Sequence, residues 1–216
     1  MSSNLSVSSK LLGNFLLSSA VGAILIVIRI LWSNSPFYGF MIWNLFLAWI
    51  PFVAAYYGVR QKNKWLRTGF LLVWFFFFPN APYIITDFFH LYYREPIPLW
   101  YDLAHLTLFS WTGMWLGFIS LNIVHRWLGT YLKKWQSRLI ISVVIMLSGF
   151  GIYLGRYLRW NSWDILTNPG QIFLDMLDMA IDPFAYPTAW GVTIIFGVLL
   201  ALMYGTMCSV ITYKEK

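Results

Sequence analysis

FPNAPYIITDFFH, residues 78–90, lies between long apolar runs and decides how the chain is read. It sets Pro79, Asn80, Pro82, Asp87 and His90 where a membrane-crossing helix should be finishing. Only 11% of the 216 residues are charged, so each polar group in an apolar run needs a physical reason. Counting from Arg67, Pro79 comes after about 18 Å of helix at 1.5 Å per residue, just past the bilayer midplane. Proline removes a backbone donor and restricts its predecessor, which frees carbonyls near Phe75–Phe78. In lipid those carbonyls need partners, and Asn80 is well placed to be one. The segment therefore predicts a third span that is kinked, with a polar end.

Composition sets the class around it. The chain is 59% hydrophobic and 20% aromatic, with a mean hydropathy of +0.64. Soluble proteins carry roughly 25% charged residues. Apolar runs close to the ~20 residues needed to span hydrocarbon recur along the sequence. They predict an all-α integral membrane protein, one transmembrane bundle over residues 1–216. Six spans fit, at about 10–32, 40–59, 68–92, 99–124, 139–157 and 188–213. The first is too long for a signal-peptide core and reads as an uncleaved helix. The single Cys208 rules out an intrachain disulfide and any multi-cysteine metal site.

The net charge of +7 reports orientation, not a nucleic-acid partner. Eleven of the fifteen basic residues fall on one side: Lys10, Arg60, Lys62, Lys64, Arg67, Arg126, Lys133, Lys134, Arg138, Lys214 and Lys216. Basic loops mark the cytoplasmic face, which puts both termini inside a bacterial cytoplasmic membrane. Of the acids, only Glu215 joins them; Asp87, Glu95, Asp102, Asp164, Asp175, Asp178 and Asp182 lie outside or at the outer interface. Residues 171–182 place Asp175, Asp178 and Asp182 on one helical face, with an apolar face opposite, as in an interfacial amphipathic helix. The GxxxG spacings Gly113/Gly117 and Gly151/Gly155 predict close packing of spans four and five.

Depth arithmetic then collects polar residues at the outer rim. Asp87 comes about 30 Å of helix beyond Arg67, and His90 follows at i+3. Span four opens with Asp102 and His105 at the same spacing. If the two antiparallel helices face each other, Asp87, His90, Asp102 and His105 share one level. Such a set suits a divalent metal, two Asp–His acid–base pairs, or two plain helix-end pairs. Arg156 reaches the same rim from span five, with Arg159 at i+3 on the same face. Salt bridges to Asp87, Asp102 or the acidic helix, anion binding and snorkelling all fit these arginines. Asn80, Tyr83, Trp160, Asn161 and Asp164 complete the candidate set. Arg29 also reaches the rim, and no charged residue is left near the midplane.

FPNAPYIITDFFHL, PLWYDL and GRYLRWNSWDILTNP together resemble a bacterial membrane-protein family known as a domain of unknown function, number thirteen sixty-one. The resemblance covers residues 45–204 and implies 78–87, Asp102 and 156–164 as the family's marked positions. It carries no activity to transfer.

Two functions follow as expectations. In one, Asp87, His90 and Asp102 handle protons or a metal while Arg156 and Arg159 hold an anionic group of a lipid or lipid-linked envelope substrate. Asn80, Asn161 and Asp164 orient the others. In the alternative, a small transporter or scaffold subunit uses the polar cluster as structural glue. Nucleophile-elbow, zincin, P-loop and dinucleotide fingerprints do not occur, and no internal repeat supports an inverted-repeat transporter.

Overall fold

The computed structural model describes residues 7–214, with side chains through Ile211. The charges expected inside at Glu215 and Lys216 lie outside the described residues. Six helices among them are long and apolar enough to cross a membrane. The chain separates into two compact units, Met1–Tyr131 and Leu132–Lys216.

The first unit contains α1 (Ser9–Ser33), α2 (Phe40–Gly58), α3 (Lys64–Phe77), a single turn α4 (Asn80–Tyr83), a 3-10 segment over Ile84–His90, and α5 (Leu99–Leu128). Ser8 caps α1 by accepting from Leu11 N, and the Asn63 side chain accepts from Trp65 N and Leu66 N at the start of α3. α5 sits at the centre and packs against α1, α2 and the broken third span. Phe15, Ile26, Met41, Leu45, Phe52 and Phe109 belong to the core they share. Hydroxyls stitch the helices: Trp49 Nε1 donates to Ser19 Oγ at 3.1 Å, Thr112 Oγ1 to Ser18 Oγ at 3.1 Å, and Trp74 Nε1 to Ser120 Oγ at 3.2 Å. Such cross-helix bonds replace the hydrophobic drive that lipid does not supply between spans.

The third span breaks where the prolines require. α3 stops at Phe77, and the chain reaches His90 through α4 and the 3-10 turn. Asn80 Nδ2 donates to the Phe77 carbonyl at 3.0 Å, taking up one of the acceptors the break releases. The glycines of α5 make room for this segment. A Cβ at Gly113 would stand 2.7 Å from Ile84 Cδ1, and one at Gly117 would stand 2.9 Å from Ala81 Cβ. Gly113 and Gly117 therefore pack on the broken third span.

The second unit contains α6 (Lys134–Arg156), a short turn α7 (Asp164–Thr167), α8 (Pro169–Ile181) and α9 (Pro187–Lys214). α6 and α9 approach closely at Gly149, where a Cβ would stand 2.5 Å from the Thr193 carbonyl oxygen and 3.0 Å from Gly197 N. α8 is the amphipathic helix expected near 171–182. It buries Ile172 and Met179 and ends at Ile181, so Asp182 lies just past it and caps the turn through Ala185 N at 3.1 Å.

Candidate functional site

Polar residues of the first unit gather at one end of the bundle. Arg29 comes from the last two turns of α1, Asn44 from the start of α2, Asp87 from the 3-10 segment, and Asp102 and His105 from the first turns of α5. Arg29 and Asp102 are 1% exposed, and Tyr38, Asp87 and His105 are 0% exposed. Groups this deep need partners, because burying an unpaired charge costs several kcal/mol.

The Arg29 guanidinium meets Asp102 in a fork, Nε to Oδ1 at 2.7 Å and Nη2 to Oδ2 at 3.1 Å. His105 Nε2 lies 3.1 Å from the same Oδ1. An ionised Asp102 can only accept, so in the neutral His105 ring Nε2 carries the proton and Nδ1 keeps its lone pair. Two buried nitrogens of this group, Arg29 Nη1 and His105 Nδ1, have no hydrogen-bond partner within the described chain. Both oxygens of Asp102 therefore have donors, while each of the two side chains that flank it keeps one nitrogen without a partner.

Tyr38 covers this group. The Arg29 Cζ lies 4.4 Å from its ring centroid, and the His105 ring stands edge-on at 4.8 Å. Its hydroxyl donates to the His90 carbonyl at 2.6 Å, tying the turn between α1 and α2 to the end of the third span. Burial of the phenol, with the Asp102 carboxylate adding to it, pushes its pKa up to about 12. Tyr101 closes another side by donating to the Leu25 carbonyl at 2.9 Å.

The residues picked from the sequence divide between several places. Asp102 and His105 meet as an Asp–His pair. Asp87 takes a hydrogen bond from Asn44 Nδ2 at 3.0 Å. The His90 ring packs between Phe37 and Phe40, at 6.1 and 5.3 Å. Tyr83 offers its carbonyl to Thr86 Oγ1 at 2.7 Å. Among the described residues no three of His, Cys, Asp and Glu form a group that could hold a metal ion. The four-ligand set of Asp87, His90, Asp102 and His105 thus does not assemble, since aromatic packing holds His90 and the Arg29 fork holds Asp102. The salt-bridge partner of Asp102 is Arg29 of α1.

Arg156, Arg159, Trp160, Asn161 and Asp164 belong to the second unit. Arg156 ends α6, whereas Arg159 lies beyond it with a left-handed φ of 60°. The shared helical face expected for these arginines does not exist, because the helix has already stopped. Asp164 organises the turn that follows. It accepts from Asn161 N at 2.7 Å, Asn161 Nδ2 at 3.2 Å and Thr167 Oγ1 at 3.3 Å. Trp160 Nε1 donates to Asp175 Oδ2 at 2.8 Å, and Gln171 Nε2 donates to Oδ1 at 2.8 Å, which anchors α8.

Arg29, Tyr38, Asn44 and Tyr101 were missed as site residues. Arg29 had the clearest signal, as the lone charge in the apolar run 20–32 at the depth of Asp102.

A protein family described as being of unknown function (DUF1361) matches residues 43–203, well over half of the chain. Comparison with curated proteins and with solved structures gave no match.

Proposed function

The chain belongs to the DUF1361 family, and we propose that its first unit binds the oxygen-bearing head group of a lipid or lipid-linked substrate beside Asp102. One observation carries this reading: Arg29 Nη1 and His105 Nδ1 are buried and unmet. In a membrane protein a donor and an acceptor left open at this depth imply a partner from outside the chain. A hydroxyl or head-group oxygen has the chemistry to meet either of them, as has water standing in for it. Asp102 fixes the ring tautomer, and His105 Nδ1 is then the group that would take a proton from a bound hydroxyl. Arg29 supplies positive charge beside it. The basic loops support placing this end on the outer side of a bacterial cytoplasmic membrane, with both termini inside.

A second reading rests on the completeness of the Arg29–Asp102 fork and its near-total burial. Here the cluster is glue that joins α1 to α5, in a small transporter or a scaffold subunit.

Native mass spectrometry of protein released from native-lipid nanodiscs separates them. The comparison is wild type with the Arg29→Met/Asp102→Leu double variant, which removes the charges as a pair. Ligand binding predicts a lipid enriched on wild type and lost from a folded double variant. Glue predicts the same lipid profile on both.

A further inference from the structure

We propose that the second unit holds one lipid acyl chain in a groove walled by α6, α8 and α9. This site is independent of the Asp102 cluster and uses none of its residues. The groove has a volume of about 420 Å³, and its lining includes Met146, Leu147 and Phe150 of α6, Met176 and Met179 of α8, and Thr193 of α9. On α6 the lining runs from Ser142 to Phe150, about 12 Å along the axis. α6 and α9 are both long and apolar enough to cross a membrane, which makes hydrocarbon the medium expected at this wall.

The chemistry of the wall selects the occupant. Thr193 Oγ1 is spent on the Ala189 carbonyl at 2.7 Å, and Trp190 Nε1 on the Met179 carbonyl at 3.1 Å. A peptide segment would bring a run of backbone N–H and C=O groups, for which the wall adds only the Ser142 hydroxyl, and lipid surroundings penalise those left unmatched. A hydrocarbon chain brings none. Val143 and Leu147 remain 48% and 44% exposed after the unit has packed, so the wall presents apolar surface to fill. Met146, Met176 and Met179 give it flexible thioethers that adapt to chains of different shape. α8 forms the roof. Its Asp175 is tied to Trp160 and Gln171, while Met176 and Met179 line the groove.

The test uses the full chain in vesicles of phosphatidylethanolamine, a small fraction of it carrying a photoactivatable diazirine on the acyl tail. Peptide mapping reads where adducts form. The site predicts several-fold denser adducts over residues 142–150 and 176–180 than at Ile195 and Leu202, which are each 67% exposed on α9. Ala180→Trp fills the groove from an exposed helix position and should strip adducts from 142–150 while leaving those at Ile195 and Leu202. Adducts spread evenly over exposed residues, or an unchanged pattern in a folded Ala180→Trp, overturn the proposal. If that variant does not fold, the wild-type distribution decides alone.

Discussion

Arg29 and Asp102, 73 residues apart in the chain, meet through a two-pronged charge-assisted fork of 2.7 and 3.1 Å with 1% of either side chain exposed. The fork holds α1 against α5 and fixes the face of Asp102 that His105 can reach. Breaking it by half is worse than removing it. Asp102→Asn leaves the Arg29 charge buried without its counter-charge, at a cost of about 3–5 kcal/mol. A large fall in the melting temperature of the detergent-solubilised protein is expected. Arg29→Met/Asp102→Leu, which removes both charges, should recover most of it. Equal losses in the single and double variants would mean that the pair is not coupled.

Tyr38 should make stability depend on alkaline pH. Its folded pKa is raised from 10.0 to about 12, chiefly by burial. A raised pKa means the neutral phenol is favoured by folding. The contribution is complete below pH 10 and is lost as pH rises towards 12. Tyr38→Phe also removes the bond to the His90 carbonyl, worth about 1 kcal/mol at neutral pH. Denaturation curves of the two proteins should therefore converge above pH 10. Parallel curves across that window contradict the burial of the phenol.

Gly113 is required by contact with the broken third span. Gly113→Val puts branches where Ile84 Cδ1 and the Ala81 carbonyl already stand, at 2.7 and 3.0 Å from the first added carbon. Overpacking of this kind costs about 1–3 kcal/mol. Gly69→Ala meets nothing within 4 Å in the middle of α3 and should gain up to about 1 kcal/mol. Thermal unfolding of the pair gives the sign of each.

Trp160 pins α8 through Asp175, so Trp160→Phe should loosen that helix without disturbing α6 against α9. Hydrogen exchange is the readout. Amides of 169–181 should exchange faster, while those around Gly149 and Thr193 keep their protection. Loss of protection in both regions would show that Trp160 supports the whole unit.

Most of the fold was legible because the membrane leaves few choices. Length, hydropathy and the proline pair located six spans and the break after Phe77. Depth could be counted, which brought Asp87, Asp102 and Arg29 to one level. Rotation could not. Nothing in a one-dimensional pattern says which way a uniformly apolar helix turns, so Arg29 and Asp102 could be set at one level but not recognised as partners. The same gap explains His90. Its position at i+3 from Asp87 was readable, but its packing on Phe37 and Phe40 depends on the turn between α1 and α2. Arg159 failed for another reason. Residues 156–159 were read as continuing helix, and the left-handed residue at 159 ends that count.

The central claim is that His105, oriented by Asp102, presents an open Nδ1 to a ligand. Nitrogen-15 NMR of histidine-labelled protein in bilayers tests it at that atom. The account predicts an Nε2–H tautomer at His105 in wild type. It also predicts an Nδ1 resonance that shifts when the lipid retained in native mass spectrometry is added to delipidated protein. A proton on Nδ1, or a resonance indifferent to every lipid the protein retains, would contradict it.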